Sequence, residues 1–398
     1  MTSHGIRDRV AIVGMGCTPF GEHWSHSADD LLIEASRDAL GEAGLQTDDV
    51  DAFWLGTLSS GASGLALSGP LKVQYKPVTR VENFCATGSE SLRAACYAVA
   101  SGAYDVALAT GVEKLKDAGW SGLPAGDGAG DGTDEPLTAP AMFSLLAPAY
   151  AREHGLTDEQ MREVLTRIAW KNHQNGALNP RAQFRSPVST ATIEAAPRVA
   201  GMLGVFDCSG VSDGAAAAVV VPAEQAHRYT DRPLYVKGLS MVAGPASGSL
   251  DPSYGFTTFP EVRAAAADAY RQAGVTSPRD QLALAEVHDC FTPTELVLME
   301  DLGFAERGLA WKEVLAGTFD RTGALPVNPD GGLKAFGHPI GASGLRMLFE
   351  CWLQLRGEAG ERQVATVAEG RTLALSHNLG GPPGACVSFV GVYGTEPA

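Results

Sequence analysis

Two segments far apart in the chain share one spacing: CATGSESLR, beginning at Cys85, and HPIGASGLR, beginning at His338. Each places a Gly three positions after the lead residue and a Leu-Arg pair seven and eight positions after it. Both then carry apolar side chains at helical spacing, Leu92, Ala95, Cys96 and Val99 in the first, and Leu345, Leu348, Phe349 and Trp352 in the second. Each lead residue therefore stands just before a buried helix. A chain built this way reads as two copies of one half-fold, with Cys85 and His338 at equivalent loop-to-helix positions facing one another across a pseudo-twofold axis.

The rest of the chain fits that reading. Short strand candidates rich in Val, Ala and Leu (Val10–Val13, Ala52–Leu55, Val106–Thr110, Ala215–Val221) alternate with helical patterns such as Leu31, Leu32, Ala35 and Ala39. This predicts an α/β protein whose strands are buried on both faces. The Gly/Asp-rich stretch from Gly119 to Thr133 and a polar helical segment over roughly Thr157–Asn175 mark an insertion, which leaves the sheet after Val112 and rejoins it near Asp213. The strand pattern resumes after Pro233 with Tyr235–Leu239, Leu282–Val287, Thr372–Leu375 and Val387–Val390.

Four short segments present nucleophiles, bases or donors at apparent strand ends or helix starts: NFCATG (83–88), HDCF (288–291), GHPIGASG (337–344) and SHNLGG (376–381). A cysteine accepts an acyl group only as a thiolate, and a helix N-terminus with a nearby imidazole is the arrangement that lowers a thiol pKa. Cys85 is the candidate nucleophile and His338 the candidate imidazole. The seven cysteines are widely spaced without a CxxC pair, so free thiols in a reducing, cytoplasmic setting are expected rather than disulfides. Cys85, His288, Cys290 and His338 have none of the familiar zinc-ligand spacings, and no metal is expected. Nor do the glycines of GMGCTPFG fit GxGxxG, which removes a dinucleotide site.

The formal net charge is −16, so nucleic acid and anionic membrane surfaces are repelled and neither is an expected partner. The apolar run Val10–Met15 is too short to span a bilayer. An anionic ligand needs a local basic patch. The segment from Arg162 to Arg198 supplies one, with six basic side chains (Arg162, Arg167, Lys171, Arg181, Arg185, Arg198) against two acidic ones.

The ordered set VAIVGMGCTPFG, NFCATGS, GVEK, KNHQNGALNPRAQF, SDGAAAAVVV, HDCF, GGLKAFGHPIGASG and HNLGG resembles the thiolase superfamily over essentially the whole chain. Within it, the likeness is to the sterol-carrier-protein type of thiolase and related acetyl-CoA acetyltransferases. The resemblance implies a thiolase fold, two similar βαβαβαββ halves in a five-layered αβαβα arrangement. One half covers 1–118 and 208–230, the other 231–398, and 119–207 form an inserted loop domain. It implies thiolytic cleavage of a 3-oxoacyl-CoA, or the reverse Claisen condensation, with coenzyme A as substrate or product and no further cofactor.

Residue by residue, the resemblance makes Cys85 the acyl acceptor and His338 its activator. His288 stands where many thiolases carry an Asn, as an oxyanion donor, and the backbone N–H groups of Cys85 and the Gly380–Gly381 turn form a second oxyanion hole. Ordinary thiolases carry a second catalytic cysteine where this chain has His377, so Cys290 is expected to shuttle the proton, with His377 as rival. Arg162, Lys171, Arg181 and Arg185 are the expected contacts to coenzyme A, and Pro140–Leu146 the expected lining of the acyl pocket or a dimer core. A homodimer or dimer of dimers and a small OB-fold partner are implied in the same way. The missing second cysteine leaves a binding subunit open as an alternative, and a decarboxylating ketosynthase is a second.

Overall fold

The computed structural model describes residues 5–117, 119 and 138–397, so most of the Gly/Asp-rich stretch 119–133 lies outside the described residues. Strand β1 (Val10–Cys17) leads into helix α1 (Ala28–Glu42). Ser27 starts that helix: its hydroxyl accepts from the Asp30 amide while the Asp30 carboxylate accepts from the Ser27 amide, a reciprocal cap. Next come β2 (Ala52–Gly56), β3 (Val78–Val81), α2 (Thr87–Ala100) and β4 (Ala107–Glu113). The chain then leaves the sheet for a helical excursion whose longest element is α3 (Asp158–Ala177), capped by Thr157 and Gln160, and returns as β5 (Gly214–Pro222). The second half runs β6 (Leu234–Ala243), α4 (Pro260–Ala273), β7 (Leu282–Glu286), α5 (Thr292–Asp301), α6 (Ser343–Leu355), β8 (Leu373–Gly380) and β9 (Val387–Gly394).

These strands lie in the order β3-β2-β4-β5-β1-β6-β9-β8-β7. In the first half β2 and β4 are parallel, and β5 and β1 follow antiparallel. In the second, β7 and β8 are parallel, and β9 and β6 follow antiparallel. The four-strand pattern is thus repeated, and a short β1–β6 contact through Ala11–Tyr235 and Ile12–Leu234 joins the copies. The copies differ at β3, whose counterpart is one parallel bridge between Val327 and Ala285. Pro326 has no N–H to donate, and Asn328 turns away with φ of 53°, so no strand extends there.

Alternate side chains of each strand feed different cores. Ala11, Val13, Phe53, Leu55 and Ala217 pack beneath α1 with Leu31 and Leu32, while Ile12, Trp54 and Ala218 face a central core. Ala374 and Phe389 meet that central core from the other half, and Leu375 and Val390 turn outward to Ala265 of α4 and Leu296 of α5. Leu92 and Ala95 of α2 and Leu345 and Leu348 of α6 fill the middle. The result is five layers, α1, half-sheet, α2 with α6, half-sheet, and α4 with α5. The equivalent glycines of the two sequence copies meet there: a Cβ on Gly88 would lie 2.7 Å from the Gly341 carbonyl oxygen, so only glycine lets the two loops touch. No helix among the described residues is long and apolar enough to cross a membrane.

Candidate active site

Cys85 sits between β3 and α2, one residue after Phe84, which takes a left-handed φ of 48°. That sharp turn ends the strand and presents the sulfur at the start of the helix. Across the pseudo-twofold, His338 occupies the matching place before α6. The Cys85 sulfur and one ring nitrogen each of His288 and His338 lie within 4.8 Å of one another. The predicted convergence of Cys85 with an imidazole from the far half is therefore present in the fold.

Hydrogen bonds fix the tautomer of each histidine. The Ser343 hydroxyl donates to the Pro339 carbonyl at 2.8 Å, so its oxygen accepts the Nδ1–H of His338 at 2.7 Å. This leaves the buried Nε2 of His338 with a free lone pair and no hydrogen-bond partner among the described residues. His288 is held the other way. The Asn378 side-chain amide donates to its Nδ1 at 3.2 Å, and the Asn378 oxygen accepts from Ser89 at 2.9 Å. His288 therefore carries its proton on Nε2, as a donor. The two rings stand edge to face, 5.4 Å apart.

The electrostatics correct one sequence expectation. Burial, reinforced by the Glu113 carboxylate, pushes the Cys85 thiol up to about 12, and its own backbone N–H offsets only part of this. Burial, with the charge of Arg346, holds His338 down to about 3, and burial together with His338 drives His288 well below the usual imidazole range. Both directions favour a neutral thiol beside a neutral imidazole. Desolvation and the Glu113 charge act against the helix terminus.

Cys85, His288, Cys290 and Gly381 line a small, mostly apolar cavity of about 40 Å³, closed by Met142, Phe143 and Phe291. Cys290 is buried, 4.0 Å from the Thr294 hydroxyl, and its thiol is pushed well up by burial and by the nearby Cys85. His377 lies on the face of β8 opposite Asn378, where its Nε2 meets the Ser388 hydroxyl at 3.3 Å. Gly380 brings the end of β8 against the nucleophile loop: a Cβ there would lie 2.3 Å from the Asn83 carbonyl oxygen. Gly381, at φ of 93°, turns the chain into the cavity wall.

Two residues that hold the site together escaped sequence reasoning. Asn378, masked by its neighbour His377, sets the His288 tautomer. Glu113 of the GVEK motif accepts from the amides of Leu58, Ser59, Ser60 and Gly341 at 2.9 to 3.1 Å and from the Thr57 hydroxyl. It thereby ties the GHPIG loop to the first half-sheet.

Most of the expected basic patch is committed elsewhere. Arg162 forms a two-pronged pair with Asp207, and buried Lys171 pairs with Glu295 at 2.9 Å. Arg181 donates to the Cys17 carbonyl and lies over the Phe349 ring. Arg185 is exposed and makes a long contact to the Pro180 carbonyl. It and exposed Arg198 adjoin Phe184 and Val199, which line a second cavity of about 330 Å³ sharing the Phe291 wall with the first.

The chain is similar to known proteins over nearly its whole length. The family model described as "Thiolase, N-terminal domain" matches residues 10–224, and "Thiolase C-terminal domain-like" matches 251–390. The chain is 39% identical over 389 residues to an acetyl-CoA acetyltransferase of Methanothermobacter thermautotrophicus, covering 95% of this chain and 98% of that one. It is 33% identical over 397 residues to human sterol carrier protein 2, covering 94% of this chain and 70% of the relative. Among solved structures, an Ltp2-ChsH2(DUF35) aldolase superposes with a TM-score of 0.82 at 25% identity, over 99% of both chains. Human mitochondrial 3-ketoacyl-CoA thiolase in complex with CoA superposes at 0.70 with 19% identity, over 99% of this chain and 100% of that one, a likeness of fold.

Proposed function

We propose, from the premise that this chain belongs to the thiolase family, that it is an acyl-CoA acyltransferase whose acyl group passes through Cys85. The observation that carries the reading is the meeting of Cys85, His288 and His338 within 4.8 Å, beside a cavity that Cys290 also lines. The Cys85 sulfur attacks the thioester carbonyl of an acyl-CoA as its proton passes to the free Nε2 of His338. Because both groups rest neutral, charge develops only along this step, where donors are worth most. The backbone N–H groups of Cys85 and the Gly380–Gly381 turn receive the oxyanion. The imidazolium then returns its proton to the departing CoA sulfur, leaving acyl-Cys85.

In condensation the Cys290 thiol first passes its proton to the again-neutral imidazole of His338, and the resulting thiolate takes the α-proton of a second acyl-CoA. The imidazolium later returns the proton it took to the Cys85 sulfur released on condensation. The Nε2–H of His288 supports the enolate oxygen, and the carbanion attacks the acyl-Cys85 carbonyl, releasing the Cys85 sulfur. Thiolysis is the reverse. The raised Cys290 pKa suits both directions: the thiol stays protonated to deliver its proton in cleavage, and its thiolate is a strong base in condensation. His377, held by Ser388 on the other face of β8, is the weaker claimant.

The described part of 119–207 is read as the substrate cover, and 1–118 plus 208–230 and 231–398 as the two halves that carry the site. The larger cavity is read as the corridor for coenzyme A; exposed Arg185 and Arg198, next in the chain to its lining residues Phe184 and Val199, support phosphate binding there. The free cysteines support a cytoplasmic setting. A homodimer or dimer of dimers, and a small OB-fold partner, follow from the family; the aldolase neighbour's pairing with a DUF35 protein supports the second. The test is intact mass after incubation with acetyl-CoA. An acetyl adduct on wild type that is absent in Cys85→Ala is expected, and no adduct with any acyl-CoA would leave the chain a binding subunit.

A further inference from the structure

Sequence spacing argues against a resident metal, yet the fold assembles a metal-binding set from three distant segments. We propose that Cys85, His288 and His338 form a reversible, inhibitory site for a soft divalent cation, zinc above all. Their three donor atoms lie within 4.8 Å of one another. A tetrahedral zinc, with Zn–S about 2.3 Å and Zn–N about 2.0 Å, spaces its ligand atoms roughly 3.3 to 3.6 Å apart. Closing the set therefore needs shifts of at most about 1.5 Å, within reach of a rotation of the Cys85 side chain, which is only partly buried.

Further observations point the same way. The Nε2 of His338 is fully buried and unpartnered among the described residues, while its Nδ1–H is held by Ser343. That is the orientation a metal-ligating histidine needs, with the outer partner fixing ring and tautomer. The Ser89–Asn378–His288 chain gives the second ring an equivalent holder; turning the Asn378 amide lets its oxygen accept from Nδ1 and frees the Nε2 lone pair. The small cavity in front of Cys85 leaves a fourth position for water.

The step balances simply. The Cys85 S–H bond breaks, its electron pair forms the S–metal bond, and one proton leaves to solvent. Both imidazoles bind neutral, and nothing is oxidised or reduced. Occupancy removes the nucleophile and its base together, so the metal-loaded protein cannot take an acyl group, and acylation of Cys85 excludes the metal.

Cobalt(II) added to metal-free protein is the probe, because a thiolate ligand produces a charge-transfer band in the near ultraviolet. One equivalent of band is expected, displaced by zinc and absent in Cys85→Ala. Ser343→Ala, which removes only the holder of His338, should weaken cobalt binding by about 10- to 100-fold. A band that survives in Cys85→Ala at unchanged affinity places the metal on another thiol and overturns the proposal, as does the absence of any band at millimolar cobalt. This readout needs no turnover, so its failure is distinct from failure of the acyl-cysteine reading. In a second arm, zinc should abolish formation of the acetyl adduct and a chelator should restore it fully.

Discussion

The cavity in front of Cys85 limits the acyl group the enzyme can hold. Its volume is about 40 Å³, and its mostly apolar lining includes the bulky side chains of Met142, Phe143 and Phe291. The expected preference is for short acyl groups such as acetyl. A hexanoyl chain overruns it and must force apart Met142, Phe143 and Phe291, an overpacking cost of about 1–3 kcal/mol. At 1.36 kcal/mol per decade this makes acylation by hexanoyl-CoA about 5- to 150-fold slower than by acetyl-CoA. The wall that matters is Phe143, whose ring lies 4.8 Å from that of Phe291 at 31°. Phe291 in turn separates the small cavity from the one of about 330 Å³. Phe143→Ala should enlarge the small cavity and bring hexanoyl-CoA up to the acetyl rate. Because a buried Phe→Ala typically costs about 3–5 kcal/mol, Phe143→Leu is run beside it and should shift the preference part of the way. The assay is kcat/KM for CoA release across acetyl-, butyryl- and hexanoyl-CoA. Wild type acylating equally fast with all three, or a folded alanine variant keeping the wild-type preference, refutes the reasoning.

Three further outcomes follow from the site. Cys290→Ala should still form acetyl-Cys85 but lose condensation by at least about 100-fold; if it condenses at the wild-type rate and His377→Ala does not, the proton shuttle passes to His377. Since burial raises the Cys85 thiol to about 12, its thiolate fraction grows tenfold per pH unit throughout the neutral range. Iodoacetamide labelling of Cys85 should therefore climb without a plateau from pH 6 to pH 9, whereas a plateau near neutrality would mean a resting thiolate. Gly88→Ala, whose new methyl meets the Gly341 carbonyl, should lower stability by about 1–3 kcal/mol in denaturant unfolding, and an unchanged midpoint would show that the two loops do not touch.

Much of the architecture was legible because the signals were periodic. The repeated Gly and Leu-Arg spacing after Cys85 and His338 reports contacts of the two loops and their helices across the centre of the molecule. Eight strand candidates appear where they were expected, most of them longer at one end. The strand Val78–Val81 escaped because VTRV is short, only partly buried and carries a charged residue in its middle. The edge of a sheet tolerates that, and hydrophobic patterning does not reveal it.

The electrostatics of the site were less legible, for a reason that applies to both corrections. Counting residue types along the chain assigns charges but not their partners or their water. The cations between Arg162 and Arg198 look like an anion-binding patch until Asp207 and Glu295 arrive from distant segments and neutralise Arg162 and Lys171. The Cys85 thiol looks activated by a helix end and an imidazole until burial and Glu113 are added, and these dominate. In each case the deciding term is set by tertiary enclosure, which scales with how much water the fold removes rather than with any motif. The same enclosure explains how a thiol with a high pKa can still serve: with His338 Nε2 unprotonated beside it, the proton transfers as the carbonyl is attacked, and no charge need exist in the dry site before substrate supplies an oxygen to carry it.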